Sequence, residues 1–201
     1  SPVQNIGAYG QEVADSLQSV EAYDCDANKM VALAGPVCEF AYRDSIFKSK
    51  FPGRFIITSI TVTLSKSPPK PPFYDSLQQY FDEHGIKIFT NKIVRESVLK
   101  IRSEKLPDPK QKPNSGSFFK NAIVEDWQLE NILRVAPDAP HFDMGVRQFK
   151  IPAGWLIEQA GLKGSLLHGI RVYENNALVL INESANSYSD LVKAKDEIID
   201  A

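Results

Sequence analysis

The chain has 201 residues, 43% of them hydrophobic and 24% charged, with a formal net charge of −2 and a pI near 5.9. That length can bury a core as one large domain or two smaller ones. The balance lacks the basic field that nucleic acid or an anionic membrane surface would need, so neither is expected as a partner. No apolar run approaches the roughly 20 residues of a spanning helix. The opening Ser-Pro-Val-Gln-Asn has neither the basic start nor the apolar middle of a signal peptide, so a cytoplasmic location is expected. Cys25 and Cys38 form no C-x-x-C pair, and His84, His141 and His168 lie far apart, so neither a metal site nor a disulfide scaffold is expected. The start without Met, in the middle of a turn-like stretch, reads as an excised piece of a longer protein.

In chain order, Val3 to Gly10 contains Asn-Ile-Gly-Ala-Tyr-Gly, with two glycines three apart among small residues. It could bring backbone close to a phosphate or a flat cofactor, although the spacing is not the G-x-G-x-x-G of a dinucleotide fold. Strands are expected over Ser19–Tyr23 and Lys29–Leu33, the second stopped by Gly35-Pro36. Cys38–Lys48 is dense in polar groups between Phe40 and Phe47. Residues Ile56 to Leu64 alternate, placing Ile56, Ile60, Val62 and Leu64 on one face and Ile57, Ser59, Thr61 and Thr63 on the other, as a half-buried strand does.

Ser67–Phe73 holds four prolines and is a stiff irregular connection to Tyr74. A short helix is expected over Asp75–Glu83 with Leu77, Tyr80 and Phe81 inward. A longer one capped by Asn91 runs to about Ser103, with Ile93, Val94, Val98 and Ile101 as its stripe. Leu106–Pro113, again rich in proline and charge, is the best domain boundary, dividing the chain into residues 1–106 and 107–201. Pro113–Asn121 reads as a loop in which Gly116 can take a positive φ or let a ligand approach the backbone, so that Ser115 and Ser117 can aim outward, while Phe118 and Phe119 anchor the turn. Ile123–Leu129 and Ile132–Val135 are ambiguous, and Ala136–Asp143 is irregular.

Pro152 introduces a helix over Ala153–Ala160 closed by Gly161 and Gly164. Ile170–Tyr173 and Ala177–Ile181 form a hairpin, and a last helix from Tyr188 packs through Leu191, Val192, Ala194, Ile198 and Ile199. Strands and helices mixed without regular βαβ alternation indicate the α+β class.

Several side chains could carry chemistry, each against a plainer role. Arg43 can bind a carboxylate and stabilise developing charge, or form a surface pair with Asp44. Tyr74 is a ligand contact or, more often, a packed aromatic, and Lys105, next to the proline-rich segment, reads as a solvated charge. Gln159 is a uracil or sugar contact or a solvated residue, on a helix whose Trp155, Leu156 and Ala160 face the core. Cys38 reads as a small buried side chain, and His168 as structural.

Five ordered stretches together resemble the UDP-N-acetylenolpyruvoylglucosamine reductase family: Pro2–Val13, Tyr42–Lys48, Lys105–Pro109, Pro113–Asn121 and Ala153–Gly164. The resemblance implies FAD and NADPH as cofactors and UDP-N-acetylglucosamine enolpyruvate as substrate, reduced to UDP-N-acetylmuramate for peptidoglycan. It implies that Arg43 stabilises an enolate and Ser117 protonates the adjacent carbon. It places Tyr74, Lys105, Asn121 and Gln159 at the substrate, and Asn5, Gly7, Ala8 and Gly10 at the flavin.

By the same resemblance the 201 residues are the rear of a flavin-binding α+β domain, with a smaller α+β substrate domain after it. They lack the front of the flavin domain and a C-terminal Glu-Pro-Glu segment, so they are expected to be catalytically incomplete alone, and a monomer is expected. Ala122 and Phe142 depart from the proline and tyrosine that relatives present there. The alternatives are a nucleotide-sugar binding module without redox chemistry and a different flavin oxidase.

Overall fold

The computed structural model describes residues 2–201; Ser1, where the front domain is expected to begin, lies outside the described residues. The chain divides into two compact units, Ser1–Leu99 and Lys100–Ala201.

The first unit opens with a 3-10 turn (Pro2–Gln4) and a small hairpin of β1 (Gly7–Ala8) and β2 (Gln11–Glu12). Its main element is an antiparallel sheet in the order β4-β3-β5, made by β3 (Leu17–Asp24), β4 (Lys29–Ala34) and β5 (Phe55–Val62). Leu17, Val20 and Cys38 are buried beneath it, with Leu33, Phe47, Ile57 and Ile60 packed around them. Asp24 is buried at the end of β3, where Arg54 donates from Nε to Oδ1 at 2.9 Å and from Nη2 to Oδ2 at 2.7 Å.

The alternation expected of β5 fails at its centre. Glu21 pairs with Ser59 but Ala22 pairs with Ile57, so Thr58 is an inserted residue. A bulge puts residues on either side of it out of phase, and Ile57 and Ile60 therefore face the core together while Ile56 and Leu64 stay exposed.

The helix α1 (Asp75–Glu83) forms as expected, burying Leu77 and Phe81, and Phe81 meets Phe73 and Phe89 at ring distances of 5.0 Å each. The helix α2 (Asn91–Lys105) runs two residues beyond the expected end. Its cap is Thr90 rather than Asn91: the Thr90 hydroxyl accepts the Ile93 amide at 3.2 Å, because the capping residue must stand one position outside the helix.

In the second unit, Pro113–Asn121 is not merely a loop. Asn114–Ser117 is a strand, β6, and after it come β7 (Ala122–Glu125) and α3 (Asp126–Val135). Next are β8 (Phe142–Gly145), β9 (Gln148–Ile151) and α4 (Ala153–Gln159). The unit closes with β10 (Leu166–Leu167), β11 (Ile170–Val172), β12 (Val179–Asn182) and α5 (Tyr188–Asp200). Strands order as β10-β11-β12-β6 in one antiparallel sheet and β7-β9-β8 in another.

The uninterrupted apolar run of β12 is explained by burial on both faces. Leu180 joins the cluster of Ile157, Ile170, Val172, Ala194 and Ile198, while Val179 and Ile181 pack with Tyr173 on the other side. The hairpin of β11 and β12 exists, with Val172 opposite Leu180, but six residues rather than three connect the strands. Two helix faces differ from expectation. Helix α4 buries Ala153 and Ile157, leaving Leu156 and Ala160 exposed, and Ile199 of α5 is 62% exposed because it lies about 100° round the helix from the buried Ile198.

Candidate active site

The first unit gathers Asn5, Gly7 and Arg43 into one network. Tyr9 and Gly10 both have positive φ (54° and 75°), the conformation of a two-residue hairpin turn, so Gly7 lies opposite Glu12 and Ala8 opposite Gln11. Asn5 is 1% exposed and holds this hairpin from beneath. Its Nδ2 donates to Glu12 Oε2 at 2.5 Å and to the Ala41 carbonyl at 3.0 Å, and its Oδ1 accepts the Ala14 amide at 3.1 Å.

Arg43 is presented from a tight turn in which Ala41 and Asp44 exchange both backbone hydrogen bonds at 3.2 Å, and its own φ is +53°. The turn is pinned on its far side: Asp44 Oδ1 accepts the Ser45 amide at 2.8 Å, and the buried Ser45 hydroxyl donates to the Val3 carbonyl. These bonds explain why Asp44 is not the partner of Arg43, and the expected alternative of an Arg43–Asp44 surface pair is corrected.

The guanidinium instead reaches the hairpin. Nη1 donates to Asn5 O at 3.0 Å and to Glu12 Oε1 at 3.3 Å, and Nη2 donates to Gly7 O at 2.7 Å. Tyr42 lies against its face at 5.4 Å. Among the described residues Arg43 Nε has no hydrogen-bond partner, and Nη2, with two N–H groups, has one. A guanidinium edge accepts a carboxylate in two parallel hydrogen bonds.

Gly7 is required for the approach, since a Cβ there would lie 2.8 Å from the Gln11 carbonyl and 2.9 Å from Arg43 Nη1. Ala8 and Gly10 are exposed on the outer side of the hairpin, beside an exposed Ile6. Tyr74, half exposed at the start of α1, meets Tyr9 edge to face at 5.8 Å, so it stands beside the hairpin tip.

The second unit carries Ser117, Asn121, Lys105 and Gln159. Ser117 is exposed at the end of β6, opposite Val179, and Gly116 before it has φ +78° with open space where a Cβ would stand. Phe118 and Phe119 anchor the strand in the core as expected. Asn121 Oδ1 accepts the Ala153 amide at 3.1 Å, so this residue caps the start of α4, at whose other end Gln159 is exposed. Lys105, the last residue of α2, is exposed, and Phe142 lies under Lys150 Nζ at 5.2 Å.

Glu12 was not singled out from the sequence. The signal was present: a two-residue turn at Tyr9-Gly10 places residue 12 opposite residue 7, and an acid there meets whatever cation approaches the hairpin.

The architecture matches the crystal structure of UDP-N-acetylenolpyruvylglucosamine reductase (MurB) from Thermus caldophilus with a TM-score of 0.60 over 98% of this chain and 53% of that one, at 18% identity. The two share a mixed α+β fold. A family model described as UDP-N-acetylenolpyruvoylglucosamine reductase, C-terminal domain, matches residues 108–201. Proteins named UDP-N-acetylenolpyruvoylglucosamine reductase from Pseudoalteromonas translucida and Polynucleobacter asymbioticus are 43% and 41% identical, each over 96% of this chain and 55% of its own length. The chain belongs to the UDP-N-acetylenolpyruvoylglucosamine reductase family, and it spans about half the length of the curated relatives it matches.

Proposed function

We propose that this chain carries the arginine and the proton donor of a reductase that uses FAD and NADPH to convert UDP-N-acetylglucosamine enolpyruvate into UDP-N-acetylmuramate for peptidoglycan. The observation that supports this reading most is the capture of Arg43 by the hairpin, which leaves one guanidinium edge for an incoming carboxylate.

The hairpin suits a flavin: Ala8 and Gly10 offer a low, exposed backbone edge and Ile6 an apolar contact, while the Asn5 side chain is committed to holding the hairpin. A reduced flavin held at this hairpin would supply hydride chemistry for the enolpyruvyl double bond, at its terminal carbon. Arg43 binds the substrate carboxylate beforehand and stabilises the enolate as it develops next to it. Ser117 gives its hydroxyl proton to the adjacent carbon and regains one from solvent. Serine is a weak acid, so this step needs a strongly basic carbon held at roughly 2.6–3.2 Å, and an enolate meets the first condition. Tyr74, Lys105, Gln159 and the Nδ2 of Asn121 supply phenol, ammonium and amide donors that suit pyrophosphate and uracil.

The test uses the full-length gene product. After anaerobic reduction by NADPH, addition of the enolpyruvate substrate should restore the oxidised flavin spectrum. Arg43→Ala and Ser117→Ala should each leave reduction by NADPH near normal and slow reoxidation by about 10²- to 10⁴-fold, the range that general acid catalysis contributes. Normal reoxidation in either variant would remove that residue's role, and a colourless protein that binds UDP-sugars would remove the redox reading altogether.

A further inference from the structure

We propose that Glu12 is the positioning residue of Arg43, setting which edge of the guanidinium meets the substrate. The inference rests on the reading of Arg43 given above. The Glu12 carboxylate divides its two oxygens between two donors: Oε2 takes Asn5 Nδ2 at 2.5 Å and Oε1 takes Arg43 Nη1 at 3.3 Å. Both partners are donors, so the position calls for a side chain that only accepts, which an ionised carboxylate is and an amide is not. Glutamine could satisfy one partner and would turn its own NH₂ on the other.

The ion pair is not explained by stability. The side chains of Arg43 and Glu12 are 33% and 37% exposed, and pairs so open to solvent contribute little to folding. Their arrangement is instead directional. A guanidinium held by carbonyls alone, at Asn5 O and Gly7 O, could rotate about Nε–Cζ or tip away from the hairpin. The carboxylate on Nη1 adds a third, charged contact that keeps this end on the protein and leaves Nε uncommitted. Glu12 is itself held: its backbone amide donates to Asp15 Oδ2 at 2.7 Å, and Asn5, which orients its carboxylate, is buried and fully bonded. The route therefore runs from a buried amide through a carboxylate to the arginine.

Two measurements on the full-length flavoprotein test this. The first is ¹⁵N NMR of the arginine side chains, which does not depend on turnover. Arg43, assigned by its loss in Arg43→Ala, should show hindered Nη rotation that becomes free in Glu12→Gln. The second is chemical rescue. Glu12→Gln should slow reoxidation by substrate by about 100-fold, the loss that roughly 1 Å of misplacement can cause, with reduction by NADPH unchanged. Guanidinium ion at millimolar concentration should restore part of the activity of Arg43→Ala but not of the Glu12→Gln/Arg43→Ala double variant.

Retained hindered rotation in Glu12→Gln, or equal rescue of the single and double variants, overturns the inference. Normal reoxidation in Arg43→Ala overturns the reading of Arg43 and the inference with it, so the two failures are told apart. Should Glu12→Gln fail to fold, Glu12→Asp keeps charge and acceptors while withdrawing the carboxylate by one methylene. It should show the same loss of hindered rotation, and unchanged rotation there overturns the inference equally.

Discussion

Asp24 and Arg54 tie the turn after β3 to the start of β5, and their chemistry gives the first unit a dependence on acid. The Arg54 guanidinium, bonded to both carboxylate oxygens and helped by the amides of Ala27 and Asp26, outweighs burial and lowers the Asp24 carboxyl to about 2. A folded-state value below the unfolded one of about 3.9 means that the carboxylate adds stability above the unfolded value and that this contribution is lost as pH falls towards 2. Thermal unfolding tracked from pH 5 to pH 2 should show this loss in the natural sequence and a flatter profile in Arg54→Met. Parallel profiles would show that the pair does not govern acid stability. At Gly7 the constraint is steric. Gly7→Ala would force the hairpin away from Gln11 O and Arg43 Nη1, and a denaturation midpoint should report a loss of about 1–3 kcal/mol, the usual cost of overpacking. Cys38 is wholly buried and burial raises its thiol pKa, whereas Cys25 is exposed, so a thiol reagent should label one cysteine in the native protein and the second only after unfolding.

Among the elements, α4 depends on a residue far from it in sequence. Its Ala153 amide has Asn121 as acceptor, so Asn121→Ala should cost about 1 kcal/mol, as loss of a helix cap does, and Asn121→Asp should keep the helix while losing the Nδ2 donor. If both variants unfold at the same midpoint as the parent, the capping role is wrong. Such long-range acceptors were not legible in the sequence, which announced Pro152 and the closing glycines but not the partner 32 residues away. Helices α1 and α5, and strands β3, β4 and β12, were legible because period and breakers act within a few residues. The phase of β5 was not, since one inserted residue at Thr58 reverses every later side chain while leaving the apolar count unchanged. Arg43 could be nominated from its polar neighbours, yet which acid would hold it depended on a hairpin register rather than on adjacency.

At the scale of the whole chain, residues 63–74 form no helix or strand, and the segment contains two lysines, Lys66 before Ser67 and Lys70 before Pro71. Trypsin does not cleave before proline, so brief digestion of the native protein should cut after Lys66 and spare Lys70. The product masses check this, and early cleavage within α5, after Lys193 or Lys195, would instead show that this helix is less protected than its burial indicates.

Ser117 lies on β6, an edge strand whose one strand partner among the described residues is β12, and the next amide, Phe118 N, is bonded to Leu178 O at 2.7 Å. The hydroxyl is thus registered against the most deeply embedded strand of its unit. Moving it means sliding β12, which would disturb side chains packed above and below the sheet. Positional noise at Ser117 is therefore governed by the stiffness of the interior rather than by the looseness of the surface. If Ser117 is the proton donor proposed above, substitutions along residues 177–181 that never touch a ligand should widen the distribution of distances over which its proton can be delivered.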